Sequence, residues 1–261
     1  MLKVWNACGR SGSRAGRGRM MLQMCVGSLL LWLPAEAQAP AGAPVAWTAE
    51  QITGRLEQMN ARRAQALHGY SSRREMTLRY KGILTNRQAN QVVEMTFTAP
   101  GSKTFAVLSS SGSPLLRDSV FQREIDGETA AAAVEARQGA ALTAANYHLK
   151  LLGEERLPVG NCFVLAVSPK TSSRFAYEGK VWVQSADFAI VRIEGRPAQN
   201  PSFWVRDGEF VSEYGKIGDF WLPRETISNS HVRFGGEATF TMQFSAYRLL
   251  NVSPMTAESS R

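Results

Sequence analysis

From Tyr70 onward the apolar residues of this chain recur at every second position, and turn residues break the pattern at short intervals, which leaves little room for anything but an antiparallel β-sheet. Tyr70, Ser72, Arg74, Met76, Leu78 and Tyr80 fall on one side of a strand that ends near Lys81-Gly82. Its partner is Gln88–Ala99, where Val93, Met95 and Phe97 alternate with Glu94 and Thr96. Pro100-Gly101 then turns the chain into Lys103–Ser109, with Phe105 and Val107 on a common face. Short turns join the three segments, so they read as an antiparallel meander. Beyond Ala140 the same pattern gives strands at Tyr147–Gly153, Asn161–Ser168, Arg174–Gln184, Phe188–Glu194, Asp207–Gly215, Phe220–Ser230 and Ala238–Arg248. A sheet of about ten strands tends to curl, and one long meander with two helices curls most simply into a half-barrel closed by those helices.

Two segments break the period of two. Thr48-x-x-Gln51 has capping-box spacing, and Ile52, Leu56, Met59, Ala66 and Leu67 follow at helical intervals until Gly69, which is expected to stop the helix. Arg55, Arg62 and Arg63 are assigned to its solvated side. The second region, Leu115–Arg137, contains the Ala130–Ala133 run, is interrupted by Gly127, and carries a thin stripe of Leu116, Val120, Ile125 and Val134. A helix with so few anchors reads as a lid or gate, whereas the first helix reads as a permanent cover.

At the N-terminus Lys3, Arg10, Arg14, Arg17 and Arg19 precede an apolar run from Met20 to Leu33. The run is too short to span a bilayer comfortably and ends at Ala35-Glu36-Ala37, the small-residue pattern of a signal-peptidase site, which makes Gln38 the expected mature N-terminus. Translation from Met20 or Met21 fits the same reading. Residues 1–37 hold five of the 30 Lys and Arg and one of the 22 acids, a net +4 out of +8, so the mature part keeps only +4. Those charges are scattered among acids, without the basic stripe that a phosphate backbone needs, so nucleic acid is not an expected partner. Cys8 and Cys25 leave with the leader, and Cys162 alone makes no internal disulfide. Within Asn161–Val167 it reads as a small buried strand residue.

His68, His148 and His231 sit in separate elements without metal-binding spacing. The chain has no GxSxG elbow, phosphate loop or CxxC pair, and Glu154-Glu155 are adjacent at a turn. The expectation is therefore a protein that is not an enzyme, without metal or cofactor.

The stretch from Phe175 to Tyr247 carries the most distinctive sequence. Val181-Trp182-Val183 is followed by Asp187 at a turn, then by Ala189-Ile190-Val191-Arg192-Ile193-Glu194-Gly195, and then by Tyr214-Gly215-Lys216-Ile217-Gly218-Asp219-Phe220-Trp221-Leu222-Pro223. This series resembles the C-terminal part of outer-membrane lipoprotein-sorting proteins, the superfamily of LolA, LolB and the sensing domain of RseB, in a poorly characterised secreted branch. The resemblance covers most of residues 48–248. It implies a LolA-like half-barrel of about ten to eleven strands with a helical lid. The corresponding boundaries are a signal peptide at 1–37, a flexible segment at 38–47, the half-barrel at 48–250 and a tail at 251–261. The Asp187 turn and Trp221-Leu222-Pro223 read as elements of hairpin geometry and packing.

What the resemblance implies for function is a non-enzymatic periplasmic carrier or binding protein for an acylated ligand, such as a lipoprotein or lipid. The alternative is an RseB-like envelope sensor or scaffold that acts by contact with envelope membrane proteins. A monomer is expected. Each methylene moved from water into an apolar interior contributes about 0.8 kcal/mol, or on the order of 11 kcal/mol for a palmitoyl tail before ordering costs, so binding needs no catalytic group. Counting by twos, the residues expected to line a cavity are Met76, Leu78 and Tyr80; Val93, Met95 and Phe97; Phe105 and Val107; Leu149 and Leu151; Val181 and Val183; and Phe240, Met242 and Phe244. Arg73, Arg74 and Arg79 are candidates, by position, for the arginine such carriers use.

Overall fold

A computed structural model describes residues 47–132, 138–200, 205–233 and 235–254. The expected signal peptide and nearly all of the 38–47 segment lie outside the described residues. The strands are β1 (Leu67–Lys81), β2 (Asn86–Thr98), β3 (Ser102–Gly112), β4 (Tyr147–Leu157), β5 (Gly160–Pro169), β6 (Tyr177–Gln184), β7 (Ala189–Pro197), β8 (Val205–Ile217), β9 (Phe220–Val232) and β10 (Glu237–Val252). Each expected strand is present within a few residues of its expected bounds. β10 runs two residues past the expected boundary at 250, with Val252 opposite Leu67.

The sheet is open, mainly antiparallel β with a few helices, in the order β3-β2-β1-β10-β9-β8-β7-β6-β5-β4. It is not one continuous meander. The segment between β3 and β4 does not bring those two strands side by side; instead β1 pairs with β10, setting Met76 opposite Met242 and Leu78 opposite Phe240. Two meanders, β1–β3 and β4–β10, are thus joined at that seam, and β3 and β4 become the edges.

Helix α1 (Ala49–Ala66) starts at the expected capping box: the Gln51 N–H donates to Thr48 Oγ1 at 3.2 Å, and the Thr48 N–H donates to Gln51 Oε1 at 3.0 Å. Ile52 and Leu56 are fully buried. The helix ends at Ala66 because strand β1 begins at once, and Gly69 is not its stop signal. Gly69 lies inside β1, where an added Cβ would sit 3.0 Å from the Phe97 carbonyl oxygen. Arg63 is also not on the solvated side. It is 8% exposed, and its guanidinium donates to the carbonyls of Phe188, at 3.1 Å, and of Asp187.

The second helical region comprises α2 (Pro114–Leu116), a π-helical turn (Arg117–Phe121) and α3 (Gln122–Ala131). Gly127 lies within α3 and does not interrupt it. Val134 and Arg137 lie outside the described residues. Two apolar clusters lie under the helices, one under α1 and one under α2–α3. Cys162, Val164, Trp182 and Val191 form a separate cluster with Leu157 and Trp221.

Candidate functional site

Under α2–α3 the sheet offers a bed of buried Met76, Leu78, Ala89, Val93 and Met242, flanked by half-buried Phe105, Phe240 and Phe244. Leu116, Val120 and Ile125 reach it from the helical side, but the residue that fills it is Phe121, fully buried with its ring 6.0 Å from that of Phe240. Counting at a period of 3.6 does not find Phe121, because the anchor depends on the π-helical turn. One extra residue per turn brings position 121 onto the face of position 116. From there Glu124, Ile125 and Glu128 follow at i+3, i+4 and i+7, so one face of the π-turn and α3 together presents an aromatic anchor and two carboxylates to the sheet.

Those carboxylates meet a cation on β1. Arg74, 3% exposed, has its guanidinium carbon 5.3 Å from the centre of the Phe105 ring and 5.0 Å from that of Phe244. It forms an ion pair with Glu128, whose other oxygen accepts from Lys103 Nζ at 2.7 Å. Burial raises the Glu128 pKa, but the Arg74 and Lys103 charges outweigh burial and leave it below the ordinary carboxylate value. Glu124 has the opposite balance. Burial, reinforced by the Glu128 charge and only partly offset by Arg74 and Lys103, raises its pKa to about 7. Around this cluster Arg74 Nε, Ser72 Oγ and Gln91 Oε1 are buried without hydrogen-bond partners, an unmet polar demand at the side of an apolar bed. Arg74 is thus the arginine of the expected three that enters the interior; Arg73 and Arg79 are exposed.

The residues expected to line one cavity divide between two beds. Met76, Leu78, Val93, Phe105, Phe240, Met242 and Phe244 lie under α2–α3. Leu149, Leu151, Val181 and Val183 lie under α1, packed with Ile52, Leu56, Phe163 and Leu165. Met95 is fully buried but belongs to neither cluster. Phe97 packs against Tyr70 with ring centres 5.4 Å apart, Tyr80 donates its hydroxyl to the Gly235 carbonyl at 2.8 Å, and Val107 is 54% exposed on the edge strand. The helices fill the beds that period-two counting read as cavity lining. Two open depressions lie elsewhere. One of 440 Å³ is lined by Lys81, Ile83, Arg206, His231, Arg233 and Glu237, and one of 210 Å³ lies beside Arg73, Glu94, Leu108 and Arg248.

The motif residues of the C-terminal half converge on one turn. The Asp187 carboxylate accepts from Lys216 Nζ at 2.6 Å and from Trp221 Nε1 at 2.9 Å, while its backbone carbonyl holds Arg63 of α1. Asp187 therefore ties the β6–β7 turn to the β8–β9 hairpin and to the helix. Cys162 is buried, and burial together with the Glu155 charge raises its pKa to about 11, the setting of an inert thiol. Among the described residues no group of three or more His, Cys, Asp or Glu could hold a metal ion.

No family model matches the chain, and neither does any curated protein. Among solved structures it is similar to a DUF1329 family protein from Desulfovibrio piger, at 13% identity and a TM-score of 0.40, over 78% of this chain and 94% of that one. It is also similar to an outer membrane lipoprotein-sorting protein domain from Vibrio parahaemolyticus, at 12% identity and a TM-score of 0.39, over 77% of this chain and 93% of that one. A LolA superfamily protein from Nitrosomonas europaea gives 16% identity and a TM-score of 0.35, over 80% and 96%. The last two bear the name of the superfamily that the C-terminal motifs resemble. Likeness at this level carries no inference about ligand or partner.

Proposed function

We propose that this chain is a non-enzymatic binding protein of the periplasm, exported by the signal peptide expected at 1–37, and that it receives an acylated ligand, a lipid or the lipid-bearing end of a lipoprotein, on the bed beneath α2–α3. The observation that carries this reading is that an aromatic and aliphatic bed on a continuous sheet is covered by a short, irregular helical segment anchored through Phe121 and the Glu128 ion pair. Lifting that segment would expose Met76, Leu78, Val93, Phe240 and Met242 together, an area suited to an acyl chain, with Arg74 and Lys103 freed to meet a polar headgroup. Association needs only the transfer of methylenes from water. Native mass spectrometry of the protein purified from its own envelope tests this: a bound acyl species is expected, along with saturable displacement of a fluorescent fatty acid that Val93→Asp abolishes. An empty protein with no saturable uptake of the probe overturns the reading.

A second reading draws on the edge strand. β3 is exposed along most of its length and bears no charge from Thr104 to Gly112, a backbone to which another chain can add a strand. This favours an envelope sensor or scaffold that works by protein contact. Stable capture of a membrane protein from envelope extracts, lost when Ala106 is replaced by proline, would select it over the carrier.

A further inference from the structure

The most exposed large apolar side chains described in the molecule stand together at one place. Ile83 is 83% exposed and Leu84 is 93% exposed, at the two central positions of the Gly82–Thr85 turn that joins β1 to β2, where the Gly82 N–H donates to the Thr85 carbonyl at 2.9 Å. Turn geometry favours Gly, Asn, Asp or Pro at such positions and gives no reason for a β-branched residue followed by leucine. Core packing gives none either, since Leu84 is almost wholly in water.

The surroundings are basic. Ile83 borders the 440 Å³ depression between the β1–β2 and β9–β10 hairpin ends, which Lys81, Arg206, Arg233 and His231 also line. Arg79 and Arg87 flank the turn in sequence and are exposed. Two acids meet these basic residues, Glu237 on the lining of the depression and Asp207 beside it. Asp207 accepts from His231 Nδ1 at 2.5 Å and from Arg206 Nε at 3.2 Å, and Glu237 lies 3.7 Å from His231 Nε2. Cations outnumber acids around an apolar tip.

We propose that this hairpin end is a docking surface for an anionic lipid bilayer, with Ile83 and Leu84 entering the acyl layer and Lys81, Arg206 and Arg233 facing the headgroup phosphates. A protruding pair of apolar side chains suits a bilayer better than a protein. A stable protein interface needs roughly 800 Å² on each partner and a matching pocket, whereas insertion into lipid needs neither. Two apolar anchors with a basic rim combine the apolar burial and the attraction to anionic lipid on which surface binding to a bilayer depends. No helix among the described residues is long and apolar enough to cross a membrane. The inference does not depend on whether the bed under α2–α3 takes a ligand.

The test is co-sedimentation of the protein, purified as the cell processes it, with vesicles of phosphatidylethanolamine containing a quarter phosphatidylglycerol, and separately with pure phosphatidylcholine. Binding to the anionic vesicles is expected, weakened by high salt. The Ile83→Ser/Leu84→Ser variant should bind at least about 30-fold more weakly, and Lys81→Glu/Arg233→Glu about tenfold more weakly. Unchanged thermal melting of the first variant shows that the fold is retained, as expected for side chains in water. Equal binding by the wild type and the serine variant overturns the proposal, as does an absence of binding to anionic vesicles. Uptake of a fluorescent fatty acid, measured in parallel, should be the same in both proteins, which separates this result from the fate of the carrier reading.

Discussion

Replacing Glu124 with glutamine probes the charge cluster under α3 directly. The Glu124 carboxyl has a pKa raised from 4.5 to about 7 in the folded protein, by burial first and by Glu128 second. The folded state therefore holds this proton more tightly than the unfolded chain does. The stability that Glu124 contributes is complete below about 4.5 and is lost as pH rises through about 7. At 1.36 kcal/mol per unit, burying the ionised carboxylate costs at most about 3 kcal/mol above the upper limit. Glu128 works in the opposite sense. Its folded pKa lies below the ordinary value, so its contribution is present above that value and lost on acidification. Together with Arg74 and Lys103, the two carboxylates place the strongest docking of α3 in mildly acidic solution. Urea melts at pH 5 and pH 8.5 are the assay, with hydrogen exchange on residues 114–131 to locate the change. The wild type should lose up to about 3 kcal/mol between those pH values that Glu124→Gln does not lose, and the variant should be the more stable protein at the higher pH. Parallel pH profiles for the two proteins would refute the reasoning.

Other perturbations follow from the same contacts. Phe121→Ala removes the anchor of α2–α3 and should cost about 3–5 kcal/mol in the docking of that segment, seen as fast exchange of residues 114–131 while α1 stays protected. Arg74→Leu leaves Glu128 with Lys103 alone, and loss of one partner from a largely buried pair should destabilise by about 3 kcal/mol, read from the urea midpoint at neutral pH. Cys162, with its pKa raised to about 11, should resist thiol reagents at neutral pH until the protein is unfolded. Asp187→Asn breaks the ion pair with Lys216 and weakens the hold on Trp221, for a loss of about 1–2 kcal/mol and a red shift in tryptophan emission.

The strands were legible in the sequence because a half-buried strand writes its burial into alternate positions, as Met76 and Leu78 or Val181 and Val183 do. The start of α1 was legible for a similar reason, since Thr48 and Gln51 are reciprocal partners three residues apart. The β1·β10 seam left no local trace, because which strands pair across a long separation depends on the curvature of the whole sheet. Phe121 was hidden by the π-helical turn, which breaks the period that sequence reading relies on. Arg63 looked solvated because its long-range partners are backbone carbonyls of a turn more than a hundred residues away, and carbonyls have no residue type to read. Arg74 was marked only by its position, and the acids that meet it are on a helix whose facing could not be counted.

These differences bear on which helix can move. α1 runs directly into β1, is buried through Ile52 and Leu56, and is pinned to the β6–β7 turn by Arg63, so lifting it would strain a covalent junction and leave the carbonyls of Asp187 and Phe188 without their donor. α2–α3 follows β3, an edge strand, and its apolar hold is Phe121 with half-buried Leu116, Val120 and Ile125. The ion pair that reinforces it opens at lower cost than it would in a closed core, because Glu128 and Lys103 are each about a fifth exposed and can rehydrate. The thin stripe read from the sequence and the contacts of the fold single out the same segment, although that segment is held more firmly than the stripe alone suggests. Hydrogen exchange without ligand should rank the central strands and α1 as most protected, with residues 114–131 opening earlier. Addition of an acyl ligand should slow exchange in 114–131 while leaving α1 unchanged. If amides in 114–131 prove as protected as those of the central strands, α2–α3 is a fixed part of the core, and any ligand must enter by another route.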